Sequence, residues 1–210
     1  MDWNKRQVVM YLSGIVCFSF GAKFFIDSRL GVDPLDVLII GLANHLHLTI
    51  GIASGLVAIG FLAVWSAWNR RYPPIMPFFT TFLVGNLIDL WILLEIETYT
   101  TLVLDPVPML LTGLMMAACG SSLIIMSGIG IRIMDLVAIT MIKKWHWSFF
   151  AAKMSLEIFL CGSGWLLGGP VGYATIAFLV IVGPLIQPYM WANAKFLQLP
   201  NHGLNEKETA

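Results

Sequence analysis

Apolar residues fill this chain in blocks. Near-continuous apolar segments run at roughly 7–26, 50–68, 75–94, 107–127, 148–167 and 173–191. Each approaches the ~20 residues that carry a helix across a bilayer. Two shorter apolar blocks lie at roughly 34–46 and 133–142. They fall short of a comfortable crossing and read as re-entrant or half-helical segments. Short polar tails close the chain at 1–6 and 192–210.

The polar positions between the blocks set the count. Lys and Arg favour the cytoplasmic side of a membrane. Here they cluster at Lys5-Arg6, Arg70-Arg71, Lys143-Lys144 and Lys195, while the loop from Glu95 to Asp105 carries acids and no base. Six crossings, with both short blocks turning back, put every basic cluster on one side, together with both termini. If the short blocks crossed, Arg70-Arg71 would face opposite to Lys5-Arg6. Arg29, next to Asp27, is the one base on the wrong side.

The chain also repeats. Shifted by 99 residues, Gly21, Ile26, Ser28, Gly31, Asp36, Ile40 and His47 fall on Gly120, Ile125, Ser127, Gly130, Asp135, Ile139 and His146. Each half then holds three crossings and one short segment. An odd number of crossings inverts one half relative to the other, an arrangement of transporters and channels whose interrupted helices meet at the repeat interface. The expected fold is an all-α polytopic membrane protein of two inverted repeats. Repeat 1 spans 7–95, an external acidic loop 96–106, and repeat 2 spans 107–191.

Composition narrows the class further. The 210 residues are 58% hydrophobic and 11% charged, with a mean hydropathy of +0.82. A soluble core would need more polar surface than that. A net charge of zero suggests no nucleic-acid partner. Cys17, Cys119 and Cys161 lie within apolar blocks without CxxC spacing and read as packing residues. The N-terminus has a positive start and an apolar run like a signal peptide, but the run is long and lacks a clear cleavage site, so it reads as the first membrane helix.

Three stretches, "GVDPLDVLIIGL", "TTFLVGNLIDL" and "GWLLGGPVGYATIAFLVIVGPLIQ", resemble the YczE/YitT-type group of bacterial multi-pass membrane proteins. The resemblance covers roughly Ser19 to Tyr189. It implies a bacterial cytoplasmic-membrane protein and brings no catalytic motif. The proline of the first stretch, Pro34, is not repeated: its counterpart is Ile133.

Candidate chemistry rests on charges inside the apolar blocks. Asp33 before Pro34 reads as a helix N-cap, and Asp36 as a carboxylate in the first turn. Asp36 and Asp135 then start two matched half-helices, whose free N–H groups carry partial positive charge. Each could simply cap its own helix; both could also line a central cavity, with Arg132 as counter-ion. Asp89, one turn after Asn86, has no obvious cation and could accept a hydrogen bond from Asn86 or a threonine. Lys153 and Glu157 stand one turn apart and form either a packing pair or part of a pathway. Charges at bilayer depth usually face a cavity and a partner.

No metal or cofactor is expected. His45 and His47 point to different sides of a helix and His146 stands alone, too few ligands for a site. No phosphate loop, zinc-protease helix or nucleophile triad occurs, so the chain is not expected to be an enzyme. Trp68, Trp145, Trp147 and Trp191 suit an interfacial belt. "GIASG" (Gly51–Gly55) and "GWLLG" (Gly164–Gly168) suit close helix packing.

The expected function is passive or ion-coupled movement of a small polar solute. Its pathway residues are Asp36, Asp135, Arg132, Asp89, Asn86, Lys153 and Glu157. Their acidic excess favours a proton, a cation or an amine. The rival is a membrane scaffold or regulator in which these charges are structural. Besides the lipid bilayer, the expected partners are a solute or cation and a second copy in a homodimer.

Overall fold

The computed structural model describes residues 3–196 and 198, and all regular elements among them are helical. The helices are α1 (Lys5–Ser28), α2 (Pro34–Leu46), α3 (Ile50–Asn69), α4 (Met76–Leu93), α5 (Ile96–Val103), α6 (Pro106–Ser127), α7 (Ile133–Trp145), α8 (Phe149–Leu166) and α9 (Tyr173–Phe196). Helix α9 includes a π turn at Phe178–Val182.

Five helices, α1, α3, α4, α6 and α9, are long and apolar enough to cross a membrane. The sixth expected crossing, α8, equals α4 in length at 18 residues. It carries Lys153 and Glu157 in its apolar run and is not among the five. The two short blocks are α2 and α7, each of 13 residues. Helix α7 runs on past 142 because Lys143 and Lys144 sit in its last turn, where cations offset the helix dipole. The acidic loop 96–106 is not wholly irregular: it contains the short helix α5.

Close approach of backbones builds the centre. Helices α1 and α6 form the most extensive pair, and they run antiparallel. At one end Gln7 Nε2 donates to Ser127 O at 3.1 Å. Further along, Gly14 faces Gly120 and Gly21 faces Gly113. A Cβ on Gly120 would lie 2.5 Å from Phe18 N, and one on Gly21 2.9 Å from Gly113 O. Lipid is as apolar as a leucine side chain, so association rests on such tight packing rather than on the hydrophobic effect. The same logic explains outward faces such as Val64, Leu111, Ile158 and Phe159, all more than half exposed. They suit contact with lipid.

Helix ends are closed by side chains. Thr49 Oγ1 accepts from Ile52 N at 3.3 Å and Ser148 Oγ from Ala151 N at 3.2 Å. His47 and His146, both at φ 54°, end α2 and α7 in the left-handed region that Asn, Asp and His tolerate better than most residues. That is the structural place of two histidines singled out in the sequence. Lys144 Nζ donates to Trp68 O at 2.8 Å, and Trp68 packs on Trp145 with ring centroids 5.1 Å apart. The basic ends of α3 and α7 are therefore neighbours. "GWLLG" splits in role: Gly164 lets α8 approach Leu38 of α2, whereas Gly168, at φ 80°, turns the chain with open space around it.

Candidate functional site

The two short helices begin against each other. Asp33 and Arg132 each hold the N-cap position, of α2 and α7, and stand 99 residues apart in the chain. Arg132 Nη1 donates to Asp33 Oδ2 at 2.5 Å. Asp33 is fully buried and Arg132 is 4% exposed. Asp33 also closes its own helix. Its Oδ1 accepts from Leu35 N at 2.7 Å, so one carboxylate caps a helix and neutralises a cation. Pro34, at the first helical position, lacks the N–H that would compete for it.

An arginine cannot cap, because it has no acceptor. The start of α7 is served instead from α4, where Thr81 Oγ1 accepts from Ile133 N at 3.2 Å. Arg132 also lies over the Phe18 ring, its Cζ 4.5 Å from the centroid. The cation thus has an aromatic face on one side and carboxylates on the others.

From Arg132 the ion pairs continue outward. Arg132 Nε lies 3.6 Å from Asp135 Oδ2, Lys153 Nζ 3.1 Å from Asp135 Oδ1, and Lys153 Nζ 3.5 Å from Glu157 Oε1. The sequence Asp33–Arg132–Asp135–Lys153–Glu157 alternates acid and base across α2, α7 and α8. Burying a single ion costs several kcal/mol even after relaxation. Alternation offsets that cost at each inner member by giving it two partners.

Asp36 stands beside this chain and outside it. It is 6% exposed and its Oδ2 has no hydrogen-bond partner. It lines a small cavity with Phe18, Ser54, Thr81, Gly85 and Arg132, with room for about one water molecule. Arg132 Nε is also without a hydrogen-bond partner. A lone donor and a lone acceptor on one water-sized space are what a single bridging water would satisfy.

The expected site residues separate into two groups. Asp36, Asp135, Arg132, Lys153 and Glu157 come together. Arg132, expected to neutralise Asp36 and Asp135, makes its shortest pair with Asp33, because the N-caps rather than the first-turn carboxylates face each other. Asp36 and Asp135 cap neither helix: among the described residues no backbone N–H donates to them, and Asp33 and Thr81 hold those places. Lys153 is closer to Asp135 than to Glu157.

Asp89 and Asn86 do not join the cluster. Asp89 Oδ1 accepts from Ile50 N at 3.0 Å and Oδ2 from Gly51 N at 2.7 Å, so it closes the start of α3 from α4. Asn86 Nδ2 donates back to Phe82 O at 2.7 Å. A lone acid needs no cation where free N–H groups of a helix start supply the positive end.

Asp33 was legible only as a cap. The missed signal is its spacing: Asp33 and Arg132 stand 99 residues apart, the same shift that relates Asp36 to Asp135. A second buried pair, Lys23 with Asp27 in α1, also escaped notice, since a lone Lys is diluted in a long apolar run.

The comparisons with known proteins agree with a membrane protein. Residues 5–190 match a family described as a family of unknown function, DUF6198. The uncharacterized membrane protein YczE of Bacillus subtilis is 24% identical over 98% of this chain and 96% of its own length. An uncharacterized protein of Haemophilus influenzae is 25% identical over 93% and 88%, and the uncharacterized protein YyaS of Bacillus subtilis 26% over 88% and 92%. No solved structure matches significantly. With a match across all but the ends of the chain, this multi-pass membrane protein belongs to the DUF6198 family and is of the YczE type.

Proposed function

We propose that this protein moves a small polar solute across the bacterial cytoplasmic membrane, passively or coupled to an ion, through the centre where α2 and α7 begin. One observation carries the reading. Asp36 is buried, bonded to no protein group among the described residues, on a water-sized cavity at the inner end of two short helices, and an ionisable residue at such a place inside a membrane is by default a candidate functional site. The alternating chain beside it holds one more acid than base, and Asp36 adds another. Such an excess suits a proton, a cation or an amine.

An inverted repeat supports the same reading. Two residues that occupy one repeat position, Asp33 and Arg132, touch each other, as equivalent residues do beside a twofold axis. Around it, Gly14–Gly120 and Gly113–Gly21 exchange under the 99-residue shift, as do the Thr49 and Ser148 caps. In this arrangement α8 is the sixth crossing, α2 and α7 turn back from the middle, and both termini are cytoplasmic. Reporter fusions after Arg71 and after Lys144 should both read cytoplasmic, and one near Thr100 external. An external reading after Lys144 overturns the topology.

The tightness of the cavity favours a second reading, a scaffold or regulator that conducts nothing, because one water's space admits no solute without opening. Proteoliposomes holding a pH dye separate the two. Under transport, gradients of small amines, monovalent cations or protons drive movement in the wild type that Asp36→Asn abolishes while its melting is unchanged. No movement with any gradient leaves the scaffold.

A further inference from the structure

Toward the C-terminal end of α1, away from the buried cluster, a second space of ≈ 570 Å³ opens between α1, the end of α4 and α5. The size falls within the ~300–1,000 Å³ of small-ligand sites. Its floor holds Lys23, 2% exposed, whose Nζ bonds to Asp27 one turn on. Thr100 Oγ1 of α5 donates to the other oxygen of Asp27 at 3.2 Å, so the pair ties α5 down over it. The space is an open groove rather than an enclosed cavity: Ile26, Ile92 and Leu102 give it apolar edges, with Leu102 79% exposed, and Glu95, Glu97, Thr98 and Thr101 give it polar ones.

The charges settle the sign of an occupant. Lys23 is neutralised by Asp27. Glu97 meets Arg29 at 3.2 Å, but that pair is solvent-exposed, the arginine side chain at 84%, and exposed pairs hold weakly. Glu95 has no ion-pair partner among the described residues. No group of three or more His, Cys, Asp or Glu that could hold a metal ion occurs among the described residues. Apolar edges with carboxylates and hydroxyls call for an organic cation instead.

We propose that this groove binds a small organic cation, an ammonium group on a short apolar body with a hydroxyl or similar group for Thr98 and Thr101. The site stands apart from the transport reading and needs neither Asp36 nor an opening of the centre.

The test is equilibrium binding by ligand-observed NMR to full-length protein in detergent, with two probes of one shape: choline, and its uncharged counterpart 3,3-dimethylbutan-1-ol. Choline should bind at least tenfold tighter. Glu95→Gln and Glu97→Gln, at solvent-accessible positions, should each weaken choline several-fold and leave the neutral probe unchanged, and the double change should abolish the preference. Thr98→Lys, which adds a like charge at an exposed position, should block choline independently, should either glutamate change disturb folding. Equal affinity for the two probes, no binding of choline, or full binding by the double variant would overturn the proposal. Asp36→Asn should leave choline binding intact, which keeps this site separate from the pathway.

Discussion

The starts of α2 and α7 occupy matched places in the chain and solve the same problem by opposite means. A buried helix start leaves N–H groups that need acceptors. At α2 the acceptor is the N-cap itself, Asp33, with Pro34 behind it. At α7 the N-cap is Arg132, which accepts nothing, and Thr81 of α4 takes over. The first start is therefore complete within its own segment, and the second only after α4 has packed against it. The difference goes with the ion pair: the two N-cap positions carry opposite signs, and the helix whose N-cap is the cation has no cap of its own.

The largest expected effect comes from breaking the pair that separates the two starts. Arg132→Met leaves buried Asp33 without a cation, and removing one partner of a buried pair costs about 3–5 kcal/mol. Thermal melting in detergent should show the loss, or the protein should fail to accumulate. Asp33→Leu with Arg132→Met should recover a large part of it in the same assay. If the double variant is no better than Arg132→Met alone, the pair is not what the loss reports.

Next comes the branch on the α7 side. Lys153 serves Asp135 and Glu157, whereas Glu157 meets Lys153 alone. Lys153→Met should therefore destabilise more than Glu157→Leu. The double change should restore only part of the loss, because Asp135 keeps one distant partner, Arg132. Equal melting of the two single variants would place Asp135 outside the network.

The two caps are expected to be smaller and unequal in kind. Thr81→Val removes the acceptor for Ile133 N and should cost about 0.5–2 kcal/mol, the range for losing a cap. Asp89→Ala should cost a similar amount through α3. Hydrogen exchange should then rise at Ile133 in the first variant and at Ile50 and Gly51 in the second. Exchange unchanged at Ile133 would mean that α7 does not depend on α4.

Asp36→Asn should have the smallest effect on stability, within about 0.5 kcal/mol, because no partner is lost and surrounding packing is kept. Its effect on transport should be the largest of the set. A variant that melts far below wild type would show that Asp36 is held by a bond the cluster needs.

Most helices were legible because apolar blocks of these lengths leave few alternatives. The bounds of α2 coincide with the expected short block, since Asp33-Pro34 marks its start and His47 its end. Helix α5 was not legible, because its residues read only as an acidic loop. The cluster was half legible. Buried charge could be read as a site, and Asp36, Asp135, Arg132, Lys153 and Glu157 do meet. The pairs within one helix, Arg132–Asp135 and Lys153–Glu157, could be read from i,i+3 and i,i+4 spacing, whereas the pairs between helices, Asp33–Arg132 and Asp135–Lys153, could not. Asp89 illustrates the same limit: its partners are backbone groups of α3, 38 and 39 residues away.

Length and apolarity of the blocks, local caps and the 99-residue repeat lie in the sequence, because each depends on residues near one another or on counting. Which charge neutralises which, which helix start goes without its own cap, and which carboxylate is left over are tertiary outcomes. They follow from how α2 and α7 begin against each other and pack on α8 and α4. Phe18 of α1 lies over Arg132 at that point, and distance in space rather than in sequence decides the partners of a buried charge.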